Sequence, residues 1–332
     1  MRRDRKRRDT FPTFFRHSGL SRLFRGGVRH SKEECVLPTF SLPPRFLGGC
    51  ASDPGTATFC IAGIPFDLGV TNRSGAREGP QAVRRASRML ADGANPAGWS
   101  DPAQMSIADL GDFSLALGDI PRSLEMIEQQ AAGIGHLLAV GGDHTITLAL
   151  LRALVKRTGP VGLVHFDAHI DTWPDNFGQK LAHGSPFFHA LREGLVDPRR
   201  MIQIGIRSPM PREVYDWTVG QGVTIVTAEQ VHAQGPQWVA EAIGRVVGEG
   251  LTYLSFDIDA IDPGQAPGTG TPEVGGLFTW QVMAILRRLA GLRFVGMDVV
   301  EVAPAYDVSE ITALAAASIL WQYLTLRPLD KL

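Results

Sequence analysis

Apolar residues along this chain fall into short runs that alternate with longer stretches of helical periodicity. The runs predict strands at 57–66, 106–110, 137–142, 163–166, 201–206, 222–226, 251–257 and 294–301. The periodic stretches predict helices at 80–91, 121–134, 145–157, 186–194, 236–248, 279–290 and 309–325. Pro80 suits a first helical turn, and Gly159-Pro160 closes the helix before it. Residues 172–186 and 262–277 have loop composition, the latter rich in Gly and Pro. Strands alternating with helices in this way predict an α/β fold with a mainly parallel sheet covered on both faces. With no internal repeat or linker inside 51–332, that span is expected to be a single catalytic domain. Residues 1–50 lack periodicity and are expected to be a basic, disordered N-terminal extension.

Three of the predicted strands stop in residues that coordinate metals. LVHF, 163–166, runs into Asp167, His169 and Asp171. Alternate residues of extended backbone point to one side, so the three side chains converge at the carboxyl end of the strand, where open α/β sheets bind ligands. Taken alone, D-x-H-x-D is equally compatible with a solvated loop. However, LTYLSFD (251–257) also runs into Asp257, Asp259 and Asp262, and LLAVGG (137–142) into Asp143 and His144. An unpaired buried carboxylate costs roughly several kcal/mol. One shared site for a divalent cation accounts for all three strand ends. His165, inside its strand, reads as a packed core histidine. Asp143 and Asp262 read as supporting or turn residues. His17, His30, His136, His189 and His232 carry no motif.

Charge and cysteine content narrow the class. Residues 1–32 carry 11 Lys or Arg against 2 acidic residues, so the remainder carries 22 against 32, a balance of −10. An acidic body suits a small cationic substrate better than nucleic acid. The three cysteines, Cys35, Cys50 and Cys60, are odd in number and remote from the candidate ligands. They make neither a disulfide framework nor a zinc–thiolate site, and they point to a reducing, cytoplasmic setting. No apolar run approaches the ~20 residues of a membrane span. The basic start has no secretory core. It reads as an extension of little consequence, with a mitochondrial transit peptide as the alternative.

GGDHT (141–145), FDAHID (166–171), AHG (182–184), SFDIDAIDP (255–263), PGTGTPEVGGL (267–277) and VVEVAPAYD (299–307) together resemble the ureohydrolase family of arginases, agmatinases and guanidino-acid hydrolases. The resemblance covers about residues 57–325 and is strongest to agmatinases. It implies a three-layer αβα domain holding two Mn²⁺ ions. One would take His144, Asp167, Asp171 and Asp257; the other would take His169, Asp167, Asp257 and Asp259. Oxygen donors with imidazole and no thiolate suit manganese. It further implies hydrolysis of a guanidino compound to urea and an amine. His183 would be the proton shuttle, Glu301 the carboxylate that pairs with the guanidinium, and Asp171 a ligand counted with the catalytic residues. Family members form trimers or hexamers, so a homo-oligomer is expected, with neither nucleic acid nor membrane as a partner.

Within the family, Trp173 occupies the position where arginases hold the substrate's α-carboxylate, which argues against arginine. Agmatine, giving putrescine and urea, is the first expectation. Guanidinobutyrate or another guanidino acid is the second, with Arg73 or Arg77 to receive its carboxylate. Two readings from other classes are a one-zinc deacetylase and an inactive regulatory homologue. The complete ligand set, together with His183 and Glu301, counts against both.

Overall fold

A computed structural model describes residues 45–48, 53–96, 99–101 and 104–326. Among these, eight strands form one sheet: β1 (Phe59–Ile64), β2 (Ile107–Asp112), β3 (Leu137–Gly141), β4 (Val161–Phe166), β5 (Val196–Ile206), β6 (Thr224–Thr227), β7 (Thr252–Asp257) and β8 (Phe294–Val300). Their order is β2-β1-β3-β8-β7-β4-β5-β6, and every pairing is parallel. The helices are α1 (Gly79–Ser87), α2 (Ile120–Ala131), α3 (Ile146–Thr158), α4 (Pro186–Arg192), α5 (Arg212–Gln221), α6 (Ala228–Val247), α7 (Thr279–Arg287) and α8 (Ile311–Leu324).

Strands β1, β4 and β7 are buried along their whole length, as expected where helices cover both faces of a parallel sheet. Alternate residues feed two separate cores. Ile61, Val164, Phe166, Leu254 and Phe256 join Val83 of α1, Ile243 of α6, Ile285 of α7 and Leu320 of α8. Ile64, Leu163 and Tyr253 join Ile127 of α2, Leu151 of α3 and Phe187 of α4. The result is the expected three-layer αβα arrangement. Among the described residues no helix is long and apolar enough to cross a membrane.

The differences from the sequence-based elements have local causes. Helix α5 has no counterpart among the predicted helices because only Val214 and Thr218 of it are buried, a stripe too thin to register as periodicity. Its signal was at the ends, Pro211 before it and the left-handed Gly222 after it (φ 106°). Helix α6 starts well before residue 236. Thr227 and Gln230 form a capping box at its start, and the chain breaks at Gly235 (φ 80°) before continuing through Pro236. Phe46 and Leu47, on the extension side of the boundary expected at residue 50, are 1% and 6% exposed. Their amides donate to Asp109 Oδ2 and Ser87 Oγ at 2.8 Å each. Residues 45–48 therefore belong to the folded body; the rest of 1–50, with Cys35, Cys50, His17 and His30, lies outside the described residues. Cys60 is buried.

Candidate metal centre and active site

The four central strands, β3, β8, β7 and β4, end side by side, and each delivers candidate residues at its carboxyl end. His144 follows β3, Asp167 to Asp171 follow β4, Asp257 closes β7 and Glu301 follows β8. The turn after β3 needs glycine: a Cβ on Gly142 would lie 1.6 Å from the Phe66 carbonyl oxygen. That close approach lets the Asp143 amide donate to the Phe66 carbonyl at 2.7 Å, and the Glu301 amide to the Gly142 carbonyl at 2.8 Å. Asp171 and Glu301 both adopt left-handed backbone, with φ of 49° and 65°. Such conformations cost about 1–3 kcal/mol each in non-glycine residues and cluster at functional sites.

The six expected ligands come together. His144 Nδ1 stands 2.9 Å from Asp171 Oδ2, 3.2 Å from Asp167 Oδ2 and 3.4 Å from Asp257 Oδ2. His169 Nδ1 stands 3.2 Å from Asp167 Oδ1 and 3.1 Å from Asp259 Oδ2. Donor atoms of Asp167, His169 and Asp259 lie within 4.8 Å of one another, and so do those of His144, His165, Asp167 and Asp171; Asp257, expected to serve both ions, falls in neither group and approaches through His144. Asp167 thus contributes to both groups. His165 joins it as a partner rather than as mere packing. Gln203 Nε2 faces His165 Nδ1 at 3.1 Å and donates to the Ile170 carbonyl. With that amide donating to Nδ1, His165 Nε2–H is left to donate to Asp167 Oδ2 at 2.8 Å. Its ring also packs on Phe187, centroids 4.4 Å apart.

The donor set fits cations. Ser255 Oγ donates to Asp298 Oδ1 at 2.7 Å and so accepts from His144 Nε2 at 2.9 Å. Thr147 and Tyr253 hold the other oxygen of Asp298. This chain places the proton of His144 on Nε2 and aims the Nδ1 lone pair at three carboxylates. His144 Nδ1 is buried and has no hydrogen-bond partner. Electrostatics point the same way. Burial pushes Asp257 well above the usual carboxylate range, reinforced by the charges of Asp259 and Asp167. Burial lowers the affinity of the His144 and His169 imidazoles for protons, yet the surrounding carboxylates raise both well above their ordinary value. Burial pushes Asp167, the shared carboxylate, up, yet the charges of the neighbouring imidazoles hold it well below its ordinary value, and buried carboxylates this close together favour positive charge between them.

Beside this cluster, His183 Nδ1 lies 3.2 Å from Glu301 Oε1, while its Nε2 accepts the Thr71 amide hydrogen at 3.2 Å and lies 2.8 Å from Thr71 Oγ1. Burial pushes the imidazole down, but the hydrogen bond and charge of Glu301 raise it to about 9. Glu301 Oε1 also accepts the His144 amide hydrogen at 2.8 Å, while Glu301 Oε2 is buried without a partner. Asp143, as expected, is a supporting residue: it accepts from the amides of Gly69 and Thr145. Burial and the Glu301 charge raise it to about 7.

A cavity of about 660 Å³ opens over the cluster, lined by His169, Asp171, His183, Asp257, Thr71, Arg73, Trp173, Asn176, Met210 and Glu273 among others. Arg77 is not available to it, because its Nε donates to Asp67 Oδ1 at 2.6 Å and its Nη2 is ion-paired to the same oxygen. Arg73 lies with its guanidinium carbon 5.0 Å from the centre of the Tyr306 ring. Thr71, Gln203, Ser255, Glu273 and Asp298 were not among the residues singled out from the sequence. Thr71 and Glu273 lie in loops without a spacing signal. Ser255 shares a strand side with Asp257, and Asp298 is a lone acid inside an apolar run, so both left a trace.

The sequence model of the arginase family matches residues 57–325. An agmatinase from Edwardsiella ictaluri is 42% identical over 283 residues, covering 83% of this chain and 90% of the relative. A guanidinobutyrase from Pseudomonas aeruginosa is 42% identical over 273 residues, covering 81% and 86%. The solved proclavaminate amidino hydrolase of Streptomyces clavuligerus superposes with a TM-score of 0.80 at 38% identity, covering 88% of this chain and all of that one. With this fold, these strand-end residues and a match over most of its length, the chain belongs to the arginase family and is a hydrolase of amidine carbon–nitrogen bonds.

Proposed function

We propose that the protein hydrolyses agmatine to putrescine and urea with a pair of Mn²⁺ ions. The observation that carries this reading is the pair of donor groups sharing Asp167, beside a histidine–carboxylate pair with one unpartnered oxygen. His144, Asp167, Asp171 and Asp257 would hold one ion; His169, Asp167, Asp257 and Asp259 would hold the other. Two such cations would lower the pKa of bound water toward neutrality and so would supply the nucleophile.

The chain's own residues do the rest. Glu301 Oε2 accepts guanidinium N–H groups and fixes the plane of the group under attack. His183, held between Thr71 and Glu301, carries a proton at neutral pH. Because Nε2 accepts from the Thr71 amide, the proton sits on Nδ1, and His183 delivers it from there to the departing amine nitrogen as the tetrahedral carbon collapses to urea. Trp173 on the cavity wall offers a carboxylate one indole N–H and no positive charge. The ion pair of Arg77 with Asp67 removes one of the two arginines that would receive a guanidino acid. The first counts against arginine and the second against a guanidino acid, which leaves agmatine favoured. A soluble homo-oligomer, trimeric or hexameric, in the cytoplasm is part of the same reading.

Urea release by manganese-loaded protein tests it against a panel of agmatine, 4-guanidinobutyrate and arginine. The highest kcat/KM is expected for agmatine. A higher value for either carboxylate substrate overturns the assignment.

A further inference from the structure

The cavity wall carries three charged groups beyond the candidate ligands and His183: Arg73, Asp175 and Glu273. Asp175 lies on the exposed rim, where its Oδ1 closes a turn by accepting the Gly178 amide. Arg73 lies over the face of Tyr306 and, as a cation, would repel a substrate ammonium. Glu273 differs from both. Its carbonyl accepts Arg207 Nη2 at 2.6 Å, and its Oε1 accepts Ser208 Oγ at 2.8 Å. Backbone and carboxylate are therefore each fixed. Arg207 donates only to carbonyls, those of Gly205, Asp259, Ala260, Glu273 and Val274, and makes no hydrogen bond to the Glu273 carboxylate. Glu273 Oε2 takes no hydrogen bond from any described residue. Its Oε1 is 4.0 Å from His169 Nε2, beyond hydrogen-bond length, so it does not orient that ring directly.

We propose that Glu273 is the specificity-determining residue that receives the terminal ammonium of the substrate. This inference rests on the agmatine reading above and names the group responsible for it. A carboxylate pinned by Ser208, with one oxygen free and next to the candidate metal ligands, offers a charge-assisted hydrogen bond to a primary ammonium. It repels a terminal carboxylate at the same place. The side chain is 32% exposed, so water screens part of the attraction. The expected contribution is about 10- to 100-fold in kcat/KM, below that of a fully desolvated pair.

The test compares agmatine with butylguanidine, which lacks the ammonium, on the parent enzyme and on Glu273→Gln, with manganese content measured in each. The parent is expected to prefer agmatine. Glu273→Gln is expected to lose that preference by about 10- to 100-fold, through KM, while keeping two manganese ions and its rate on butylguanidine. Ser208→Ala, which leaves the carboxylate but frees Oε1, is expected to lose part of the same preference and serves if Glu273→Gln does not fold. An unchanged preference overturns the proposal. So does an equal loss on both substrates or a lost ion, either of which makes Glu273 a support for His169. If the parent itself favours 4-guanidinobutyrate over agmatine, the substrate reading falls and this inference with it. If the parent favours agmatine and both variants do too, only Glu273 has been misassigned.

Discussion

His183 and Glu301 face each other at 3.2 Å, the imidazole Nδ1 against carboxylate Oε1. His183→Ala is expected to lower kcat by about 10²–10⁴ with metal content intact, and added imidazole to restore part of the loss. Arrival of the variant with one ion missing would make His183 a ligand instead. Glu301→Gln removes the charge that lifts His183 to about 9. A donor must be protonated to act, so activity falls as pH rises past its pKa. The alkaline limb of the kcat profile is therefore expected to move to lower pH in Glu301→Gln, while KM for the guanidinium substrate rises.

Asp167 and Asp257 each stand against the lone Nδ1 of His144, and Asp167 against that of His169 as well. Asp167→Asn or Asp257→Asn is expected to abolish urea release and to lower the metal count measured by elemental analysis. Metal binding to the parent is expected to raise its melting temperature by mass action on the folded state. Full activity after exhaustive chelation would remove the metal from the mechanism.

Arg84 is buried on α1 and donates from Nε and Nη2 to Asp109, each at 2.9 Å. Asp109 in turn accepts the Phe46 amide. Breaking such a pair leaves an uncompensated buried charge, so Arg84→Met is expected to destabilise by about 3–5 kcal/mol in urea unfolding. Asp109→Asn combined with Arg84→Met should recover part of that loss.

Asp262 accepts the amides of Gly264, Gly275 and Gly276. Burial pushes its carboxyl up, but these donors and Arg207 hold it below its ordinary value. A folded pKa below the unfolded one gives stability that is present above the unfolded value, near 4, and lost as pH falls through the folded one. Asp262→Asn is expected to destabilise at pH 7 by no more than about 1 kcal/mol, given its exposure. Melting curves of the two proteins should converge below pH 4.

Phe46 and Leu47 bury their side chains in the core, each worth roughly 1.5–3 kcal/mol. Truncation to residue 43 is expected to preserve kcat and melting temperature. Truncation to Ser52 should lower the melting temperature while leaving kcat per folded molecule unchanged.

The apolar runs made the sheet legible and put Asp and His at three strand ends, which one cation site accounts for; the division of the candidate ligands between two ions, and the roles of His183 and Glu301, came only from the family resemblance. The sequence exposed less where the structure relies on tertiary contact. Helix α5 buries little, yet Thr218 on it bonds Thr172, next to Asp171, at 2.6 Å. Phe46 and Leu47 carry no periodicity, because a single turn has none. Ser255 and Asp298 were legible in principle by strand period, but their partner His144 comes from β3, far away in sequence. Thr71 and Glu273 approach the site from loops whose paths no local pattern fixes.

Strand β8, next to last among the elements in sequence, lies between β3 and β7. Without β8 the strand order leaves β1–β3 and β4–β7 unjoined, so any sheet formed by either group before residue 294 is made has an open edge at what becomes the centre. Glu301 is still missing then, and the candidate ligands of β3 and β4 sit on different sheets. Metal loading and catalysis must therefore wait for nearly complete synthesis, and chains terminated before residue 294 would expose two sticky parallel edges. The same arrangement that buries the candidate cluster in the middle of the sheet is expected to make prematurely stopped chains the most aggregation-prone form.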